Sequence, residues 1–410
     1  MQTRLAPEVL ATPAGRDAEA ILRSCVHCGF CNATCPTYQL RGDELDGPRG
    51  RIYLVKQLLE GAPPTASTAL HLDRCLTCLA CETTCPSGVR YHHLIEYGRA
   101  EVEAARVRPW HQRTLRAALR AVLPYRNRLR VLLALGRALR PLLPARLAAK
   151  LPRTAPRARA LPAPRHARRM LLLEGCVQPL WNPNIDAAAR RVFDRLGVSL
   201  VPVQEVTCCG AIHHHNGDST TAKSIARRNI DAWWPAIEAG VEGILVTASG
   251  CGAHIKDYGH LLADDPAYAD KAARVSALAQ DPAGVIAPAQ IAALKLHAGE
   301  RVAFQAPCTL QHALRLGARA EALLQAAGFE LAPVAEAHLC CGSAGTYALL
   351  QPALATALRD RKLAALGQGN PTRILTANIG CLAHLQAGTT LPIVHWLEAI
   401  DSLMAREGAL

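Results

Sequence analysis

Apolar positions recur along this chain at two different steps, and the change from one step to the other divides it. IYLVKQLLEG from Ile52 carries apolar residues three and four apart and stops at Gly61, which predicts a helix. Gly47-Pro48-Arg49-Gly50 before it reads as a turn, and a second helix is expected after Pro86, from Tyr91 to Ala105. Residues Met1 to Ser24 form a lead-in with an amphipathic turn around Asp17 to Leu22. Leu115, Leu119 and Val122 alternate with Arg116 and Arg120, which predicts a basic amphipathic helix. Prolines at 124, 141 and 144 cut it into short pieces, and Pro152 to Pro164 reads as a Pro/Arg/Ala-rich linker.

From Met170 onward the pattern becomes short, continuous apolar runs. MLLLEG from Met170, GILVTAS from Gly243, VAFQAP from Val302 and RILTAN from Arg373 predict buried strands. Helical patterns at Ser219 to Ala239 and Gly345 to Leu366 separate them, and this alternation implies parallel α/β layers. The expected fold class is mixed, with an N-terminal α-helical domain over 1–105 and a basic linker over 106–169. Two repeated α/β domains follow over 170–299 and 300–410.

Composition changes this picture in one place. Half of the 410 residues are hydrophobic, which is enough for several packed cores, yet no uninterrupted apolar run approaches the roughly 18 residues of a membrane span. The formal charge is +13, but between Arg106 and Arg169 there are 18 Lys or Arg and no Asp or Glu, so the remainder is net acidic. A phosphate-binding reading of that segment lacks interleaved aromatics apart from Trp110 and Tyr125, and no nucleic-acid reading motif accompanies it. Nucleic acid is therefore not an expected partner. Two readings stay open: contact with an anionic membrane face or an acidic partner subunit, or a solvated linker.

The chemistry lies in the cysteines. CVHCGFCNATCP from Cys25 and CLTCLACETTCP from Cys75 share the spacing C-x2-C-x2-C-x3-C-P. A thiolate at every third residue lets one tight loop offer three sulfurs to one cluster, and the fourth cysteine sits too far along to close the same site. The expectation is one [4Fe–4S] cluster on Cys25, Cys28, Cys31 and Cys85, and a second on Cys75, Cys78, Cys81 and Cys35. Zinc sites use paired C-x2-C knuckles and do not call for a third cysteine at the same step. No signal-peptide pattern opens the chain, so thiols at this density point to a reducing compartment rather than a disulfide framework. The helical patterns between the runs point to an α-helical ferredoxin-type domain. Arg49, Arg51, Arg74 and Arg90 lie near the cysteines in sequence, either to offset cluster charge or as exposed residues at helix ends.

The last 240 residues contain a repeat. Cys176, Cys208-Cys209-Gly210 and Cys251 form one copy, and Cys308, Cys340-Cys341-Gly342 and Cys381 the other; the lone cysteine precedes the pair by 32 residues in both. These eight and the eight upstream account for all 16 cysteines. Cysteines just beyond the carboxyl ends of parallel strands fall in the crevice where open α/β sheets bind ligands. His213-His214-His215 follow the first pair, and at most two of three neighbours can act on one centre. They and His338 read either as ligand or proton-handling groups or as solvated loop residues. Trp233 and Trp234 are expected to pack a core or a subunit interface.

The stretches ILRSCVHCGFCNATCPTYQLRGDELDGPRGRIYL, HLDRCLTCLACETTCPSGVRYHHL, NIDAWWPAIEAGVEGILVTASGCGAHIKDYG and HLCCGSAGTYAL resemble the iron–sulfur subunit family of glycolate oxidase (glycolate dehydrogenase). The resemblance covers almost the whole chain except the basic linker and the loop from Ala263 to Gly299. Its C-terminal CCG (cysteine-rich) domains are also similar to those of the cysteine-rich heterodisulfide reductase subunit, the lactate-utilisation protein and the anaerobic glycerol-3-phosphate dehydrogenase small subunit. The resemblance implies an oxidoreductase complex at the cytoplasmic face of the bacterial inner membrane. In it, flavin subunits carrying FAD oxidise glycolate to glyoxylate, and this chain passes the electrons to a quinone or another acceptor. The alternative is the equivalent subunit of a lactate, 2-hydroxyglutarate or glycerol-3-phosphate dehydrogenase. No G-x-G-x-x-G follows a strand here, so no flavin or dinucleotide site, and no catalytic residue for substrate oxidation, is expected on this chain. In the heterodisulfide reductase relatives each CCG motif ends in C-x-x-C and holds a non-cubane cluster on five sulfurs. Here Ala248 and Asn378 stand at the first position of that pair, leaving four sulfurs per half. Two readings follow: a further iron–sulfur cluster on Cys176, Cys208, Cys209 and Cys251, on Cys308, Cys340, Cys341 and Cys381, or on both; or docking surfaces with free thiols.

Overall fold

A computed structural model of the chain describes residues 1–142 and 158–407. These fall into two compact units. The first comprises Met1–Arg120, Ile212–Ala222 and His338–Arg359; the second comprises Ala121–Ala211, Lys223–Ala337 and Asp360–Leu410.

The first unit is helical. Its main helices are α1 (Pro13–Ser24), α2 (Pro48–Leu59), α3 (Ala66–Asp73), α4 (Tyr91–Ala104) and α5 (Trp110–Val122). The expected turn at Gly47-Pro48-Arg49-Gly50 is instead the start of α2, with Pro48 in its first turn. Proline suits that position because its missing N–H is one of the donors a helix start leaves unbonded. The lead-in is likewise a full helix, capped by the Thr12 side chain, which accepts from Gly15 N–H at 3.0 Å. Leu22, Leu59, Leu72, Leu94, Ile95 and Val102 form the core of α1 to α4. Gly98 lets α4 approach α2, since a Cβ there would lie 2.6 Å from Val55 Cγ2.

A buried carboxylate ties this unit together. Asp46 has no exposed surface and receives Arg41 Nε and Arg74 Nη1, both at 2.8 Å, and His71 Nδ1 at 2.9 Å; Arg51 Nη2 stands 3.7 Å away. The basic helix α5 is also anchored by carboxylates. Asp73 pairs with buried Arg108 at 2.8 Å and buried Arg116 at 2.7 Å, and Glu103 pairs with Arg108 and Arg120, both at 2.7 Å. Arg116 and Arg120 of this helix therefore face protein, whereas Trp110, Arg113 and Leu115 are exposed. Among the arginines of the segment, Arg108 and Arg116 are thus not the solvated residues of an open linker. Pro144 and residues 152–157 of the expected linker lie outside the described residues.

The second unit holds two parallel four-stranded sheets of the same topology. In the first, β1 (Arg168–Leu173), β2 (Val198–Pro202), β3 (Ile244–Val246) and β4 (Ala279–Gln280) lie in the order β2-β1-β3-β4. In the second, β5 (Arg301–Gln305), β6 (Glu330–Leu331), β7 (Arg373–Thr376) and β8 (Ile393–His395) lie in the order β6-β5-β7-β8. Leu171 pairs with Ile244 and Val302 with Arg373, so the repeat in sequence is a repeat in register. The loop from Ala263 to Gly299 contains the helix Ala269–Leu278 and strand β4. The helix expected from Gly345 to Leu366 is divided into Tyr347–Leu350 and Pro352–Gly367, because proline cannot continue the preceding turn. Trp233 packs the first sheet's core, and Trp234 is half-buried with Lys271 Nζ 5.0 Å over its ring.

The two sheets are joined by polar contacts as well as by a shared core containing Phe193, Phe304 and Trp396. Arg191 clasps Asp401 with both Nε and Nη2, at 2.8 and 2.7 Å. Glu398 accepts from Asn182 and Asn184, both at 2.9 Å. His395 accepts Leu397 N–H on Nδ1, so its Nε2–H donates to Thr247 O at 3.1 Å. Burial holds its pKa down to about 4 from 6.5, which keeps the ring neutral.

Between these two values the unfolded chain binds a proton at His395 that the native state does not, so stability falls as pH drops from 6.5 toward 4. Urea unfolding followed by tryptophan fluorescence is expected to show a loss of about 1 kcal/mol between pH 7.5 and 5.5 from this residue, abolished in His395→Gln. Asp46→Ala strands three arginines without their carboxylate and is expected to cost about 3–5 kcal/mol, read as a lowered urea midpoint at pH 7.5.

Candidate metal centres

Each ferredoxin-type run folds into the same loop. His27 and Thr77 have φ of +57° and +51°, and the residue after the second cysteine, Gly29 or Leu79, has +87° or +65°. Two left-handed residues so close together curl the backbone around a concave face and turn its N–H groups inward, the arrangement that cradles anions. A Cβ at Gly29 would meet the far end of the Arg49 side chain, Nη1 at 2.6 Å, which would have to swing aside.

The sulfurs gather in two groups. Cys25, Cys28, Cys31 and Cys85 line one open cavity, which Cys81 also borders. Burial pushes the Cys31 thiol up to about 11, and the nearby Cys25, Cys28 and Cys85 add to the rise. Cys81 is pushed well above the ordinary thiol value, first by burial and then by Cys78, Cys75 and Cys35. Each group thus draws three sulfurs from one run and one from the other. Cys28 is exposed, whereas Cys75, Cys81 and Cys35 are buried.

Of the four arginines singled out in the sequence, only Arg51 reaches a cysteine sulfur directly. It is 1% exposed, with Nη1 3.9 Å from Cys35 Sγ and Nη2 donating to Thr37 Oγ1 at 3.1 Å. Arg49 pairs with Glu44, Arg74 with Asp46 and Arg90 with Asp17. Sequence reading did not single out Tyr91 or Arg99. Tyr91 donates its hydroxyl to Cys75 Sγ at 3.6 Å, and Arg99 donates to Cys75 O at 2.5 Å and Thr77 Oγ1 at 2.8 Å. Both are buried on α4. The signal available was an aromatic residue and an arginine eight apart, two helical turns, on the helix that follows the second run.

In the second unit, Cys176 follows β1, Cys208 and Cys209 lie after β2, and Cys251 sits on the helix Ser249–Lys256 after β3. The four thiols converge. Contact with Cys208 and burial raise Cys176 well above the ordinary value, and contacts with Cys208 and Cys251 do the same for Cys209. Asn229 Nδ2 donates to Cys208 O at 2.7 Å and Tyr258 OH to Cys209 O at 2.6 Å, which fixes the backbone of the pair. Mutual repulsion of this kind is what a bound cationic iron core would relieve, and four thiolates without a competing oxygen donor suit iron–sulfur chemistry. Of the second copy, Cys308 and Cys381 belong to the second unit and Cys340 and Cys341 to the first. Asn378 Nδ2 lies 3.8 Å from Cys381 Sγ, and Gly342 N–H donates to Cys340 Sγ at 3.4 Å.

The histidine run divides its work. His214 Nδ1 and His215 Nδ1 stand 2.6 and 2.5 Å from the two oxygens of buried Glu96, while His213 Nδ1 lies 2.9 Å from Asp218. Burial opposes the Glu96 charge, but the two imidazoles hold its carboxyl well below the usual range. Two of the three histidines therefore act on one centre, and that centre is a carboxylate. His338 is half-buried.

Residues 21–89 match the model of the 4Fe-4S dicluster domain, and residues 170–256 and 302–386 match that of the cysteine-rich domain. The glycolate oxidase iron-sulfur subunit of Escherichia coli (strain K12) is 52% identical over 407 residues, 99% of this chain and 100% of that protein. A probable glycolate oxidase iron-sulfur subunit of Bacillus subtilis (strain 168) is 30% identical over 90% of this chain and 89% of its own. Lactate utilization protein A of Geobacillus thermodenitrificans is 24% identical over 57% of this chain and 98% of its own. Among solved structures, a hypothetical protein from Helicobacter pylori shares the fold, with a TM-score of 0.54 at 10% identity over 95% of this chain and 72% of its own. Sulfur-only donor sets, two parallel α/β repeats and full-length similarity agree: the chain belongs to the family of glycolate oxidase iron-sulfur subunits.

Proposed function

We propose that this chain is the electron-transfer subunit of a glycolate-oxidising complex, passing electrons from flavin subunits that convert glycolate to glyoxylate on to a quinone or another acceptor. The observation that carries the reading is the full-length 52% identity to a glycolate oxidase iron-sulfur subunit. Removing a hydride from an α-hydroxy acid needs a two-electron cofactor such as FAD, here assigned to a partner subunit. The clusters, when bound, accept and release one electron at a time. Residues of this chain do the rest: they hold the sulfurs, exclude water from them and supply hydrogen bonds to them.

The ligand sets we assign are Cys25, Cys28, Cys31 and Cys85 for one [4Fe–4S] cluster, and Cys75, Cys78, Cys81 and Cys35 for the other. The grouping of sulfurs around Cys31 and Cys81 supports the crossing. Convergence of Cys176, Cys208, Cys209 and Cys251 supports a third cluster in the first CCG domain. Iron and acid-labile sulfide in anaerobically purified protein are expected to fall by about four per chain in Cys28→Ser and, independently, in Cys209→Ser. Unchanged iron in Cys209→Ser would mean that the first CCG domain keeps its thiols free.

Among the described residues no helix is long and apolar enough to cross a membrane. We assign the chain to the cytoplasmic face of the inner membrane as a peripheral subunit. Val131, Leu132 and Leu135 are exposed on the helix Arg126–Ala138, with Leu139 and Leu142 exposed just beyond it, among the arginines of the basic segment. An apolar stripe flanked by cations suits an anionic lipid surface. Leu132→Glu combined with Leu135→Glu is expected to move the complex from the membrane to the soluble fraction at least severalfold, without loss of iron; an unchanged distribution would remove this anchor.

A further inference from the structure

The two cysteine groups share a backbone fold but not an electrical environment. Around Cys25, Cys28, Cys31 and Cys85 the cavity is open and Cys28 is exposed. The nearest arginine, Arg49, has a third of its side chain in water and its charge is matched by Glu44 at 2.5 Å. The Cys25 sulfur faces the backbone N–H of His27. Among the described residues no side-chain hydroxyl or guanidinium is seen to donate to these four sulfurs.

The other group carries the equivalent backbone donor, from Thr77 N–H to Cys75 Sγ at 3.4 Å, and two side-chain donors besides. Tyr91 OH donates to Cys75 Sγ at 3.6 Å, and Arg51 Nη1 lies 3.9 Å from Cys35 Sγ, while the Thr37 hydroxyl beside that sulfur donates to Asp46 O. Arg51 and Arg99 are both buried, so bulk water does not screen them. Their field is in excess, because Asp46 is shared among Arg41, Arg51, Arg74 and His71. Burial disfavours added negative charge, and in this group it is opposed at the sulfurs themselves by the Arg51 guanidinium beside Cys35 and the Tyr91 hydroxyl on Cys75.

Reduction adds one negative charge to a cluster, and hydrogen bonds to its sulfurs with nearby cations favour the reduced form. We propose that the centre held by Cys75, Cys78, Cys81 and Cys35 is reduced in preference to the one held by Cys25, Cys28, Cys31 and Cys85, and that Arg51 and Tyr91 are the positioning residues responsible. This rests on the ligand sets assigned above. When bound, the exposed centre would pass an electron received from a reduced flavin of a partner subunit to the buried one, the first being reoxidised as the second is reduced.

The test is a potentiometric titration followed by EPR on the anaerobically purified complex. Cys28→Ser identifies the signal of the exposed centre, leaving the other to be followed. Arg51→Met is expected to lower the midpoint of the buried centre and narrow or invert the order of reduction, and Arg51→Lys to restore most of it. Tyr91→Phe, which removes one O–H donor at almost constant volume, is expected to lower the same midpoint by a smaller amount. If Arg51→Met loses iron, Tyr91→Phe decides alone. Unchanged midpoints, or a shift confined to the signal altered by Cys28→Ser, would overturn the proposal. Failure of the ligand assignment looks different: Cys28→Ser would alter both signals equally in otherwise unchanged protein.

Discussion

The helical unit depends on a carboxylate with no access to water. Asp46 collects Arg41, Arg74 and His71 at hydrogen-bonding distance and stands near Arg51, and those residues span the segment that links the two cysteine runs. Burying one anion among several cations is costly unless the geometry is closely satisfied. Here it is satisfied, and the remaining positive charge is directed at the neighbouring sulfurs. The same constraint that holds α2 and α3 together therefore prepares the surroundings of Cys35 and Cys75.

A second constraint acts at the joint of the two parallel sheets. Parallel strands leave their carboxyl ends as an open crevice, and the first repeat places its cysteines there. The joint is made by polar groups that are satisfied internally: Arg191 on Asp401, Glu398 on two asparagines, and neutral His395 on the Thr247 carbonyl. Thr247 is next to Ala248, the position where a fifth sulfur would have stood. The backbone at that position is thus held from the second sheet, while the four remaining thiols of the first copy converge from three strand ends.

Much of this was legible in the chain. The spacing C-x2-C-x2-C-x3-C-P expresses a local geometry, a loop with a sulfur every third residue, and local geometry survives in sequence. The repeat was legible for the same reason, since its strands are short continuous apolar runs between helices. Proline caused two misreadings. Pro48 begins a helix where a turn was expected, and Pro352 divides a helix that was expected to run on, because the same missing N–H is harmless at a helix start and disruptive inside one. The basic segment left two readings open in sequence, and neither specified that Arg108 and Arg116 find Asp73, 35 and 43 residues upstream.

By itself, the sequence determined the sulfur chemistry, the number of cysteine groups and the α/β repeat, because spacing and periodicity are properties of neighbouring residues. Only the tertiary structure decided which of four arginines near the runs meets a sulfur, that Tyr91 and Arg99 join it, and that two of three consecutive histidines close on Glu96. Those pairings join residues 16 to 119 positions apart, and nothing local specifies them. They follow from burial, which forces each charge to find a partner wherever the fold brings one.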